Sequence, residues 1–297
     1  MTRVPAVLAV LCLAGALTLH AAQDRWFPRA PENYPAILYV RSPDTMRRLA
    51  LEYDGITADL YWIRALQAFG RERLQPPAAA RRYELLYPLL DLTTTLDPYF
   101  SIAYRFGAIF LGEPYPGGPG RPDLAIALLE KGLKQQPHRW QYMQDLGFVY
   151  YWHLQNYKSA AAWFQRASQQ PGAPNWMRPL AAVTLTEGGQ RRSARALWRQ
   201  IAQSDQAWLR DTAAHRLAQL DALDAIDQIQ ARVDAFHRAR PAERVTWPAL
   251  IAGGWLRGTP VDPAGTPFTV DPATGHVAVS RDSALWPMPG DKPEAPR

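Results

Sequence analysis

Cysteine is nearly absent from this 297-residue chain: Cys12 is the only one, and it lies in an N-terminal apolar run. The body of the chain therefore has no disulfide, no thiolate nucleophile, no cysteine-ligated zinc and no haem-attachment motif. The six histidines show no metal-ligand spacing, HExxH is missing, and no serine lies between the glycines of a nucleophile elbow. These absences predict a protein without metal, cofactor or catalytic activity.

Lysine is also scarce: 29 of the 33 basic residues are arginines, against 27 acidic residues, and the formal net charge is +6. The arginines occur as scattered pairs, such as Arg47 with Arg48 and Arg81 with Arg82. A nucleic-acid-binding protein concentrates its positive charge on one face. The distribution therefore predicts a solvated surface and no nucleic-acid partner.

Residues 1–22 have the pattern of an export signal, in which Arg3 precedes an apolar run from Val4 to Leu19 and small residues follow. A membrane-spanning helix needs ~20 residues, so the pattern leaves open both a cleaved signal peptide and a retained inner-membrane anchor. In either case the positively charged start stays in the cytoplasm. We therefore expect the remainder in the cell envelope, on the periplasmic side, with residues 23–42 as a linker.

A repeated spacing organises the middle of the chain. Ala125, Leu129, Gly132 and Pro137 have offsets of four, seven and twelve residues, and the same offsets recur from Leu86 to Pro98. Related series begin at Ala160 and Ala194, 34 residues apart. Positions four and seven apart share one helix face, and the final proline ends the helix. A period near 34 residues predicts stacked helical hairpins.

This pattern resembles the tetratricopeptide repeat (TPR) family over roughly residues 50–205, and a further helical pair is expected out to about residue 238. The closest agreement with the family consensus lies in Leu146, Gly147, Tyr150, Ala160, Phe164 and Ala167. The resemblance implies an all-α fold, a TPR-like right-handed α-solenoid of helical hairpins over residues 43–240. It also implies a concave groove, lined by the first helix of each hairpin, that binds a protein or peptide partner.

Counting from Gly107 and Gly147 gives the side chains expected on that inner face. They are amide and aromatic groups, which suit recognition of an extended or helical peptide. The candidates are Tyr104, Gln141, Gln144, Phe148, Tyr151 and Trp152. For Trp152, packing against an internal C-terminal segment is an equal alternative.

Prolines crowd the chain after residue 240, where the helical spacing ends. Within residues 241–285, the run PFTVDPATGHVAVS predicts a β-hairpin around the turn from Asp271 to Gly275, and residues 286–297 are predicted to be a disordered tail. The run DPAGTPF with the following TG turn is similar to the C-terminal hairpin of type II secretion pseudopilins and type IV pilin-like proteins. The prepilin processing signature is missing, so the chain itself is not expected to be a pseudopilin.

The sequence thus predicts an exported TPR scaffold, inner-membrane-anchored or soluble on the periplasmic side after signal cleavage, that binds a protein or peptide partner in its groove. One alternative is an assembly factor of a type IV pilus or type II secretion system. Another is a peptidoglycan-active enzyme with Glu52, Asp54 or Asp59 as its acid, although the polar face of a capping helix is the simpler interpretation of these carboxylates. The identity of the partner and the oligomeric state stay open.

Overall fold

The computed structural model describes residues 12–16, 18–19, 42–76 and 80–290, and the chain divides into two compact units, residues 1–41 and 42–297. In the first unit the described residues are helical, and the Thr18 hydroxyl donates a hydrogen bond to the Ala14 carbonyl. The rest of the predicted export signal, linker residues 23–41 and residues 291–297 of the predicted tail lie outside the described residues. Within the described residues, none of the helices combines the length and the apolarity that a membrane crossing requires.

The second unit is built almost entirely from helices, as the spacing of apolar residues predicts. In chain order these are α1 (Pro43–Leu49), α2 (Asp54–Arg73), α3 (Leu86–Leu96), α4 (Ser101–Gly112), α5 (Pro122–Gln135), α6 (Trp140–Phe148), a π-helical turn (Val149–His153), α7 (Tyr157–Ser168), α8 (Met177–Glu187), α9 (Arg191–Ile201), α10 (Ala207–Ala239) and α11 (Trp247–Ala252). Two short strands follow, β1 (Thr269–Val270) and β2 (Val277–Ala278). The predicted all-α class with a small hairpin is confirmed.

Helices α2 to α10 pack mainly on their neighbours in the chain, the most extensive contacts being α2 with α3, α4 with α5, α6 with α7, and α7 with α8. Glycines let two pairs of neighbouring helices come close together, α6 with α7 and α4 with α3. A Cβ atom at Gly147 would lie 2.3 Å from the Phe164 ring of α7, and one at Gly107 would lie 2.9 Å from a methyl group of Leu90. Close packing therefore offsets the roughly 1 kcal/mol that a helical glycine costs relative to alanine.

The helical pair expected out to residue 238 is instead one continuous helix, α10, of 33 residues. The sequence explains the difference, because residues 207–239 contain neither glycine nor proline to end the helix. The first part of α10 buries Leu209 and Ala213 in a core with α8 and α9. Its second part belongs to another core, and α10 thereby connects the helical hairpins to the C-terminal segment.

The predicted β-hairpin is present: β1 and β2 pair antiparallel, with Thr269 opposite Ala278 and Val270 opposite Val277. In its turn the Asp271 carboxylate accepts a hydrogen bond from the Ala273 N–H at 2.8 Å, and Gly275 has a φ of +72° that favours glycine. The hairpin and α11 form a core against α10. Its fully buried members include Val233, Phe236, Val245, Leu250, Phe268 and Val277.

Two glutamines of α10 hold the segment from residue 241 to 290, which we call the C-terminal cover. The Gln219 side-chain amide donates to the carbonyls of Leu285 (2.7 Å) and Pro287 (2.8 Å). The Gln230 amide donates to the Gly275 carbonyl and accepts from the Val277 N–H. Because these bonds are made to backbone groups, they fix the position of the chain whatever side chains it carries.

The prediction of disorder from Trp286 onward is wrong for residues 286–290. Met288 is buried in the same core as Phe236, with 7% of its surface exposed. The hydrogen bond from Gln219 to Pro287 also belongs to this stretch. The composition of the tail favoured disorder, but a partner 68 residues upstream supplies the contacts that order its first part.

Candidate functional site

The helices α2, α4, α6 and α8, which open each predicted hairpin and are called the first helices below, lie next to one another through side-chain contacts. The Phe69 ring of α2 stacks on Phe110 of α4 with centroids 4.3 Å apart. The Arg105 guanidinium of α4 donates to both carboxylate oxygens of Asp145 on α6, at 2.6 and 3.1 Å. Burial raises the pKa of the Asp145 carboxyl and outweighs the opposing effect of Arg105. Neighbouring first helices are therefore joined by contacts that fix their mutual position.

Helix α4 is apolar on its outer side as well as on its buried side. Ile102, Phe106 and Ile109, at spacings of four and seven residues, are 51%, 50% and 55% exposed; we call them the α4 face. They lie opposite Ala103, Gly107 and Leu111, which are buried. The only charged residue of α4 is Arg105, and Asp145 already pairs with it. The α4 face therefore presents apolar groups without an unpaired charge to solvent.

Exposed apolar side chains are also unevenly distributed among the other helices between residues 54 and 201, all of which are described. No large apolar side chain of α3, α5, α7 or α9, the second helices of the predicted hairpins, is exposed, whereas α2 and α4 expose several. The turn that follows α6 exposes Trp152 and Leu154. In this part of the molecule the exposed large apolar side chains thus lie on α2, on α4 and in the segments that flank the first helices, while α6 and α8 themselves expose none.

An aromatic stack marks the end of α6, where the chain passes into a π-helical turn. The Trp152 indole is 63% exposed and lies parallel to the Phe148 ring, with centroids 4.5 Å apart. Phe148 in turn packs edge-to-face on Phe164 of α7 at 5.1 Å. Such π-helical turns are frequent at functional sites. The stack holds a large, exposed aromatic surface in a fixed orientation.

A pocket of about 240 Å³ separates the α4 face from this stack. Its lining is mostly apolar and comprises Ala108, Ile109, Glu113, Pro114, Asp145, Phe148, Val149, Trp152 and His153. The imidazole of His153 closes one side so tightly that a Cβ atom at Gly112 would lie 2.8 Å from its Nε2 atom. Burial lowers the pKa of His153, and the nearby Glu113 carboxylate acts in the opposite direction. A pocket of this kind suits one apolar side chain of a partner.

Four of the six predicted groove residues lie on α6 or in the π-helical turn after it and are at least partly accessible: Gln141, Gln144, Phe148 and Trp152. Of these, Phe148 and Trp152 line the pocket. Tyr151 is half-buried, and its hydroxyl donates to the Glu187 carboxylate at the end of α8. That bond and burial raise the pKa of Tyr151 to about 12. Tyr151 thus joins the turn after α6 to the end of α8.

Tyr104 is not a groove residue, which corrects the prediction for this position. Its side chain is fully buried, its ring packs on Tyr142 at 5.3 Å, and its hydroxyl donates to the Thr94 carbonyl. Tyr104 and Gly107 are three positions apart, and both face the second helices α3 and α5. The count from Gly107 therefore selected the buried side of α4.

The residues that sequence reasoning missed are Ile102, Phe106 and Ile109. Their spacing of four and seven residues was a sufficient signal for one helix face. The opposite face of α4 is equally apolar, however, so the pattern alone does not tell which side the neighbouring helices cover.

The three carboxylates of the enzyme hypothesis lie at the start of α2. Glu52 and Asp59 are exposed, and Asp54 is the first residue of the helix. Solvent around an exposed carboxylate contrasts with the enclosed position that general acid catalysis uses. The exposed carboxylates of Glu52 and Asp59 thus lack the enclosure of a general acid, whereas Asp54 is partly buried and its Oδ1 atom is buried without a hydrogen-bond partner.

Comparisons with known proteins identify no relative: no family model, no curated protein and no solved structure matches the chain. Within the described residues, no group of three or more histidine, cysteine, aspartate or glutamate side chains is placed to hold a metal ion.

Proposed function

We propose that the chain is an exported scaffold protein whose helical hairpins stack as a TPR-like right-handed solenoid, and that it binds an apolar segment of a protein partner in the cell envelope. The observation that carries the proposal is that exposed large apolar side chains lie on α2, on α4 and in the turn after α6, and not on the second helices. In a TPR-like stack the first helices line the concave surface. The α4 face and the Phe148–Trp152 stack would then form one continuous binding surface.

The pocket supplies the point of strongest attachment. Interface energy concentrates in a few buried aromatic or aliphatic anchors, and Ile109, Phe148 and Trp152 surround a space that one such anchor fills. Asp145 and Glu113 line the pocket, but Arg105 and Arg73 neutralise them. Selectivity for an apolar segment follows, because a charged side chain entering the pocket would find no unpaired opposite charge.

A site-specific photo-crosslinker tests the proposal in cells that express the full chain. We expect benzoylphenylalanine at position 109 or 106 to give a discrete adduct with a partner from the cell envelope. The matched control is the same group at Glu130, an exposed position on the second helix α5, where no adduct is expected. Equal adducts from positions 109 and 130, or none from 106 and 109, would contradict the proposal.

A further inference from the structure

Helix α2 carries a second apolar surface that shares no residue with the α4 face or the pocket. Ile56, Leu60 and Ile63, four and seven residues apart, are 61%, 57% and 47% exposed; we call them the α2 stripe. They lie opposite the buried face of α2, which consists of Ala58, Tyr61, Ala65 and Phe69. A helix that is apolar on both sides is ordinarily buried on both sides.

The described neighbours of α2 leave this stripe uncovered. Helix α1 packs on α3, and α2 contacts α4 through the rings of Trp62 and Phe69 on its other side. The apolar surface also extends beyond the stripe to Leu49, Leu51, Tyr53 and Leu66, which are all exposed. An exposed apolar patch of this extent is typical of a protein interface.

Charge along α2 indicates which partner fits. The first ten residues of the helix carry two negative charges, Asp54 and Asp59. In the register that pairs the two stripes, position 56 of one copy lies opposite position 63 of the other, so the stretch that overlaps runs from Asp54 to Ala65 and its basic residue is Arg64. An antiparallel copy then places Asp59 within about one helical turn, along the helix axis, of Arg64 of the other copy. Arg73 lies outside this stretch and already pairs with Glu113. The stripe is therefore complementary to a second copy of α2, and the opposite charges of Asp59 and Arg64 are near each other in the antiparallel arrangement.

We propose that two copies of the chain associate about a two-fold axis through their α2 stripes, with the two helices antiparallel and Leu60 near the axis. Such an interface is isologous, which means that both copies use the same surface. If one residue of the first copy contacts a second residue of the other copy, the same contact occurs again with the two copies exchanged. Each substitution in the stripe thus enters the interface twice.

The mass of the purified full chain in solution, measured by sedimentation velocity over a concentration series, tests the proposal. We expect a dimer for the wild type, and for Leu60→Glu a dissociation constant raised on the order of 100-fold. The matched control is Ile102→Glu, a similarly exposed isoleucine on α4, which is expected to leave the dimer intact. Circular dichroism checks that both variants keep their helices. A monomeric wild type, or a Leu60→Glu chain that dimerises as tightly as the wild type, would overturn the proposal.

Cysteine cross-linking tests the orientation without weakening the interface. In a Cys12→Ser background, Ile56→Cys chains are mixed with Ile63→Cys chains that carry a tag of different size. Antiparallel helices place position 56 opposite position 63 of the other copy, so mild oxidation is expected to give mainly the mixed disulfide. Disulfides that form only between identical chains would overturn the antiparallel arrangement.

Discussion

The N-terminal and C-terminal ends of the helical unit differ in how far their apolar side chains are covered. At the C-terminal end, α10 has an apolar face that the chain covers with its own residues 241–290, so that Phe236 and Phe268 are almost completely buried. At the N-terminal end, α2 and α4 have apolar faces of comparable character that remain exposed. A stack of helices needs a polar or covered end to remain soluble. The difference is the one expected if, as proposed above, other molecules cover the open surfaces.

The way in which the C-terminal cover is held supports this interpretation. Gln219 and Gln230 satisfy backbone groups of the cover, and the Trp247 indole N–H donates to the Phe268 carbonyl at 2.9 Å. Polar groups that become buried with the apolar side chains are thus paired within the chain. The α4 face, Ile102, Phe106 and Ile109, has no polar side chain, so a partner that covered it would have to satisfy its own backbone groups, as a helix does.

The largest expected effect tests whether the covered end carries the stability. We expect Phe236→Ala to lower the free energy of unfolding by about 3–5 kcal/mol, because it leaves a cavity among fully buried side chains. Phe106→Ala, on the half-exposed α4 face, is the matched control, with an expected change below about 1 kcal/mol. Urea denaturation measures both. Equal losses in the two variants would remove the distinction between the ends.

A second prediction concerns the attachment of the cover. We expect Gln219→Leu to lower the free energy of unfolding by about 2 kcal/mol, since it leaves the buried carbonyls of Leu285 and Pro287 without a donor. Hydrogen exchange at residues 283–288 is expected to accelerate in this variant. Gln203→Leu, at an exposed position, is the control. Unchanged exchange at 283–288 would show that apolar burial alone holds the cover.

The sequence predicted those parts of the fold that depend on local signals. The spacing of four and seven residues and the closing prolines identified α3 and α5, and the turn from Asp271 to Gly275 identified the hairpin. The course of residues 286–290 depends on the hydrogen bonds that Gln219 donates to Leu285 and Pro287, which lie 66 and 68 positions later in the chain. No local sequence pattern indicates contacts over such a separation.

The candidate site was less predictable for a related physical reason. Helix α4 is apolar on two sides, and only the positions of α3 and α5 decide that Tyr104 is buried while Phe106 is exposed. The count from Gly147 placed Phe148 and Trp152 on the same face as Gln141 and Gln144, and these polar amides favour an accessible side, a signal that α4 does not offer.

A third, smaller effect separates binding from stability at the open end. We expect Trp152→Ala to lower the free energy of unfolding by about 1 kcal/mol, the value of its stack on Phe148. The adduct formed from the photo-crosslinker at position 109 is expected to disappear in the same variant, because one wall of the pocket is lost. A loss of several kcal/mol would instead mean that Trp152 belongs to the core of the hairpins.

The smallest expected effect is a dependence of stability on pH at the same pocket. Because burial holds the pKa of His153 below its ordinary value of 6.5, the unfolded chain takes up this proton at a higher pH than the folded chain does. Stability therefore falls as the pH is lowered from 6.5 towards the pKa of the folded state. Asp145, whose pKa is raised by burial, acts in the opposite direction above its ordinary value of 3.8. We expect His153→Gln to lose the destabilisation that begins near pH 6.5, as measured by thermal unfolding at several pH values. If the variant has the same dependence of stability on pH as the wild type, His153 in the open pocket is as hydrated as it is in the unfolded chain. The pocket would then differ from the core beneath the C-terminal cover, where side chains are buried.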